Sequence, residues 1–275
     1  ASRVADLLPA SAREPMGRLG IVPWTLLRHG GRAGLRARLR EEGIEYGAES
    51  DARASFPQGK LRELVGRYPA MLEFRRNLPY GWQPGREWAP VLEESWRPVL
   101  DALRTGDDDF LDGFFGGFFR SDAIAGLWGG SGMHQAFANA DPWNRACRAS
   151  LFLRHYLWWK HSTDGNLDRI EAAPVGRPWG WSVQGRLVVE PTLEYDVEAQ
   201  DILRLVEGIP HPVVLEIGGG YGGVARQILL RRPDAIYLGF DLAENAILQT
   251  CYLEPALPGT RVALHDGDGF PELVP

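Results

Sequence analysis

At 275 residues and 44% hydrophobic content, the chain exceeds one average domain and can bury a sizeable core. Its 36 acidic and 30 basic side chains give a formal charge of −6, which argues against a nucleic-acid surface built on clustered cations. No apolar run approaches the roughly 18 residues of a membrane span, and no charged-then-apolar order marks a leader, so the sequence predicts a cytoplasmic protein. Cys147 and Cys251 lack metal-finger spacing and read as two buried thiols in a reducing compartment.

The first sixty residues are rich in Arg, Ala and Gly, and GLRARLREEG at Gly34 to Gly43 predicts a short solvated helix. Helical spacing is clearer in LRELVGRYPAMLEFRRNL, WAPVLEESWRPVLDALRTG and DDDFLDGFFGGFFR. The run Asp107, Asp108, Asp109 cannot turn three consecutive carboxylates onto one ion, so it predicts a helix cap and no metal. PWNRACRASLFLRHYLWWK, from Pro142, predicts a long helix with proline in its first turn.

Between Ala172 and Glu194 the pattern changes to period two, and WGWSVQGRLVVEP predicts a hairpin turning at Gln184 and Gly185. A helix over Val197 to Glu207 then leads into an apolar strand that ends in VLEIGGGYGG at Val214 to Gly223. Glu216, Gly218, Gly220 and Gly222 spell acid-x-Gly-x-Gly-x-Gly, and the following GGVARQILL reads as a helix whose N-terminus faces a ligand. AIYLGF, ending at Asp241, predicts a second strand, and RVALH at Arg261 to His265, leading into DGDGF, a third. Glu216, Asp241 and Asp268 would then stand at three consecutive strand ends, where open α/β sheets bind ligands.

Gly218, Gly220 and Gly223 also satisfy the dinucleotide pattern Gly-x-Gly-x-x-Gly, so the glycines alone do not choose the cofactor. Glu216 tilts the choice, because a carboxylate there suits a cationic amino-acid moiety and would repel a pyrophosphate.

VLEIGGGYGG, FDLAE at Phe240 to Glu244 and GDGFPELVP at Gly267 to Pro275 together resemble the cofactor half of class I methyltransferases, which use S-adenosylmethionine. With FDLAENAILQTCYL and a long aromatic-rich N-terminal region, the chain is similar to the sugar O-methyltransferases of bacterial polysaccharide clusters. The resemblance implies an α/β, Rossmann-like cofactor half over 191–275, cut short after the third strand as in a fragment, behind a mostly helical region over 1–190. It implies that Glu216, Gly218, Gly220, Tyr221 and Gly222 meet the methionine part of S-adenosylmethionine, Asp241 the ribose, and Leu242, Asp268 and Gly269 the adenine. The implied partner is a small-molecule or glycan acceptor, and a homo-oligomer stays open.

For the acceptor, Trp179 and Trp181 in a Pro- and Gly-rich stretch are the preferred stacking pair among the tryptophans Trp128, Trp143, Trp158, Trp159, Trp179 and Trp181. Helical aromatics such as FFGGFF and YLWW read as core, and Tyr195, before the glycine loop, reads first as packing and second as a cofactor contact. His134, after a glycine run, is the visible choice for a general base, the alternative being residues beyond Pro275. An NAD(P)-dependent oxidoreductase and a non-catalytic protein with a degenerate cofactor fold are the competing readings.

Overall fold

The computed structural model describes residues 30–53, 60–77, 85, 88–124 and 129–265. Among them the chain is a mixed α/β protein with helices predominating and two small sheets. Trp128, Asp268 and Gly269 lie outside the described residues.

Helix α1 (Gly31–Glu41) buries Leu35, and Gly43, at φ 67°, turns the chain into β1 (Ile44–Glu49). That strand belongs to a three-stranded antiparallel sheet with β2 (Trp179–Val183) and β3 (Arg186–Val188). The β2–β3 turn is the expected one: Gln184 and Gly185 both take positive φ, 50° and 84°, as a two-residue hairpin of matching twist requires. β1 itself has no counterpart in the sequence reading.

Helices α2 (Lys60–Arg76), α3 (Trp88–Glu94), α4 (Arg97–Thr105) and α5 (Asp108–Phe115) follow, the expected helix over residues 88–106 being broken in two at the buried Trp96. Asp107 caps α5, its carboxylate accepting from the Phe110 N–H at 3.1 Å, which is the role expected of the acidic run. After a 3₁₀ turn at Phe118–Arg120 come α6 (Ser131–Ala138) and the 21-residue α7 (Pro142–Ser162). Asp141 caps α7 by accepting from Trp143 and Asn144, and Pro142 occupies the position where a missing N–H costs nothing. No described helix is long and apolar enough to cross a membrane.

The short α8 (Leu167–Ile170) precedes the hairpin, and α9 (Thr192–Leu205) leads to β4 (Val213–Ile217), α10 (Gly223–Arg231), β5 (Ile236–Phe240) and α11 (Ala243–Ala256). β4 and β5 pair in parallel, Val214 opposite Tyr237 and Glu216 opposite Gly239. The third strand expected at Arg261 to His265 does not form: those residues run without strand pairing, so the parallel sheet has two strands among the described residues. Val213, Leu215 and Ile217 of β4 are at least half exposed, as helices pack on the opposite face.

One continuous apolar core runs from Leu35 through Trp96, Phe115, Phe152 and Leu193 to Tyr221 and Leu253, crossing position 190 without a break. Two buried carboxylates stitch the same seam. Asp196 on α9 is fully buried and accepts from Trp159 Nε1 at 2.8 Å and from Arg231 at 2.9 and 3.0 Å. Glu244 on α11, 1% exposed, accepts from the Tyr68 hydroxyl at 2.8 Å and from Arg75 at 3.0 Å. Burial this deep is tolerated because each acid has charged or O–H and N–H donors around it.

Candidate functional site

At the carboxyl end of β4 the chain leaves the sheet through Gly218, Gly220 and Gly222, with φ of 80°, 58° and 94°. Side chains rarely adopt that backbone region, so the three glycines answer a conformational demand. The loop is pinned at both ends: Gly218 N–H donates to the Phe240 carbonyl at 2.8 Å, and Gly222 N–H to the Gly219 carbonyl at 3.0 Å. α10 begins directly afterwards, aiming its first N–H groups toward the loop.

Asp241, at the end of β5, closes the loop from the side. One carboxylate oxygen accepts the Gly220 N–H at 2.8 Å; the other accepts the Leu242 N–H at 2.7 Å and the Asn245 amide at 2.9 Å. The same carboxylate therefore shapes the glycine loop and ties it to the first turn of α11 through the Asn245 side chain. A carboxylate has about four acceptor sites, so three bonds leave capacity for a ligand hydroxyl.

Glu216 stands over the loop. A Cβ added to Gly219 would lie 2.3 Å from its Oε2, which shows how closely the carboxylate and the bare backbone approach. Its pKa is pushed up to about 6, first by burial and then by the negative charges of Glu198 and Asp241. The Tyr237 hydroxyl on the neighbouring strand donates to it. Two carboxylates thus flank one loop, and a cation is the ligand charge that relieves both.

Beneath the loop lies Gln249, which the sequence reading missed. It is 8% exposed; its Nε2 has no hydrogen-bond partner and sits 2.7 Å from the Cβ position of Gly219, while its Oε1 sits 2.5 Å from that of Gly239. Asn245 and Gln249 are one helical turn apart on α11, and that amide pair following Asp241 was the available signal.

Tyr221 and Leu242 belong to the site through their backbones. The Tyr221 ring is buried and meets Phe119 at 5.2 Å and Tyr252 at 5.1 Å between centroids, which anchors the loop in the core instead of lining its open side. Leu242 packs against the same core. Tyr195 covers the start of α10, since a Cβ on Gly223 would fall 2.3 Å from its ring; it packs there, as its first reading had it.

The acceptor residues expected from the sequence are not brought to this loop. Trp179 and Trp181 are 2% and 1% exposed, because pairing with β1 and β3 turns their stretch into a buried strand. Phe152 lies flat on Trp181 at 4.4 Å and 10°, so no ring face is open for a sugar. His134 on α6 bonds Glu49 through Nε2 at 3.2 Å and packs 5.5 Å from Trp179; no hydrogen bond, ion pair or ring contact joins it to the glycine loop. Among the described residues, no group of three or more His, Cys, Asp or Glu side chains is placed to hold a metal ion.

No family model matches the chain, and neither does any curated protein or solved structure with which it was compared.

Proposed function

We propose that the chain is an S-adenosylmethionine-dependent O-methyltransferase of Rossmann-like architecture, acting in the cytoplasm on a hydroxyl of a sugar or glycan. The observation that supports this most is the pairing of Glu216 with Asp241 around a glycine loop at the carboxyl ends of two parallel strands. When bound, the cofactor would supply a sulfonium methyl group for in-line displacement by the acceptor oxygen.

The residues fit that group. Glu216 would hold the cationic methionine end, its negative charge preferred once a positive charge offsets its burial. The bare backbone of Gly218, around which there is open space, would admit the ligand, while Gly219 and Gly222 let the loop sit close against Glu216, Gln249 and Leu253. Asp241 would take a ribose hydroxyl on its remaining acceptor site while keeping its bond to Gly220. The backbone at Leu242 would border the adenine. The same two carboxylates oppose a pyrophosphate, which is the physical reason to place a dinucleotide second.

None of the residues gathered at the loop is assigned the role of general base. Isothermal titration with S-adenosylhomocysteine and with NADH tests the reading: the first should bind and the second should not. Binding of NADH alone would make the chain an oxidoreductase, and binding of neither would leave a fold without cofactor function.

A further inference from the structure

A cleft of about 420 Å³ opens between loop 50–53, α5, the 3₁₀ turn and the segment before β2. That volume lies within the usual range of small-molecule sites, about 300–1,000 Å³. It is lined by the exposed Phe110 and the edge of the largely buried Phe114, by the bare backbone of Gly113 and Gly117, and by three guanidiniums, Arg53, Arg120 and Arg177.

The arginines are held in place by the main chain. Arg120 donates from Nε to the Arg177 carbonyl at 3.2 Å and from Nη2 to the Ser50 carbonyl at 3.1 Å, and is 16% exposed. Arg177 donates its backbone N–H to the Ala52 carbonyl at 3.0 Å. Its φ is 55°, a left-handed conformation that an Arg adopts only where its surroundings fix it, and one that recurs at ligand sites. Its Nε is buried and has no hydrogen-bond partner.

Three acids moderate this charge. Glu49 pairs with Arg120 at 3.2 Å, Asp51 bridges Arg177 at 2.9 Å and Arg120 at 3.6 Å, and Asp109 stands on the wall. Asp51 is 84% exposed, so its pairing is screened by water and exchangeable for a ligand anion that desolvates in the cleft. Arg53 has no hydrogen bond or ion pair among the described residues and adds only its field on Asp51.

We infer that this cleft is a binding site for an oxyanion, a carboxylate or phosphate, carried on a flat ring that lies on Phe110 and Phe114 between Arg53, Arg120 and Arg177. The main-chain bonds fix the plane of the Arg120 guanidinium, and the Nη groups of Arg120 and Arg177 that those bonds do not use present the donors to the anion, as planar guanidiniums suit two-oxygen acceptors. The ring covers the phenylalanines and excludes water from the clamp. The 3₁₀ turn packs on the glycine loop through Phe118 and Phe119 against Tyr221, but no residue lining the cleft belongs to that loop, so the two sites are read with different ligands.

Titration calorimetry with phenyl phosphate, benzoate, phenol and inorganic phosphate tests the inference. At least one of phenyl phosphate and benzoate should bind, and the tighter of the two identifies the anion; phenol and inorganic phosphate should each bind at least tenfold more weakly. Arg177→Gly should weaken that binding tenfold or more while the melting temperature stays unchanged or rises, because glycine relieves the strained backbone. Arg53→Gln, an exposed change that cannot unfold the chain, should weaken it at least threefold. Phenol or inorganic phosphate binding as well as the ring anions would overturn the site, as would wild-type affinity in both folded variants. S-adenosylhomocysteine affinity should be the same in wild type and variants, so failure of one reading leaves the other standing.

Discussion

Replacing Asp241 with Ala removes one carboxylate from two tasks. In the folded chain it accepts two backbone N–H groups, from Gly220 and Leu242, and one amide from Asn245. A bond to a charged acceptor contributes about 1.5–3 kcal/mol, but the partly solvated setting reduces each to about 1 kcal/mol, for a total near 3 kcal/mol. A chain of this size loses about 2–4 °C per kcal/mol, so the melting temperature should fall by about 6–12 °C. Ligand affinity should fall in addition, by about 1–3 kcal/mol or roughly 5- to 150-fold, since a ribose hydroxyl loses its acceptor. Urea unfolding and scanning fluorimetry measure the first effect, and calorimetry with S-adenosylhomocysteine measures the second. An unchanged melting temperature would refute the pinning of the loop; a destabilised variant with wild-type affinity would remove Asp241 from the ligand site.

Glu216 titrates at about 6 in the folded chain, above its ordinary 4.5. The folded state therefore holds more protons than the unfolded one between those values, and the stability attached to this group falls as the pH climbs through that window. Affinity for S-adenosylmethionine should tighten over the same rise with a midpoint near 6, and Glu216→Gln should flatten the profile; a wild-type dissociation constant independent of pH would separate Glu216 from the ligand. Gly220→Val forces a branched side chain into φ 58° at the bond to Asp241, so binding should collapse while helical circular dichroism persists; normal binding would misplace the cradle. Trp181→Ala empties a site stacked on Phe152 and should cost about 3–5 kcal/mol of stability in urea unfolding. A fully stable variant would show that the ring is dispensable to the core.

Local signals with one structural meaning were readable in the sequence. Gln184 and Gly185 specify a tight turn, Asp141 and Pro142 a helix start, and Glu216 through Gly222 a strand that ends in a loop. β1 escaped because IEYGAE acquires strand geometry by pairing with a segment far along the chain, Ile44 opposite Val183. The same pairing explains Trp179 and Trp181: Gly and Pro neighbours suggested an open loop, and ladder formation buried the rings. His134 follows positive-φ Gly129 and Gly130 as expected of a turn, but the turn starts α6 and faces the histidine toward Glu49. Gln249 and Tyr237 support the glycine loop through contacts between elements, which no periodicity in one segment records. Arg177 likewise reads as an ordinary surface cation until its backbone angle is seen.

In the proposed function, the glycine loop at the carboxyl ends of β4 and β5 holds S-adenosylmethionine. Hydrogen exchange with and without S-adenosylhomocysteine tests it most directly, because each amide reports its own site. Protection should concentrate in residues 216–223 and 239–245, with residues 179–183 unchanged. No protection at the glycine loop under saturating ligand, or protection confined to another part of the chain, would contradict it.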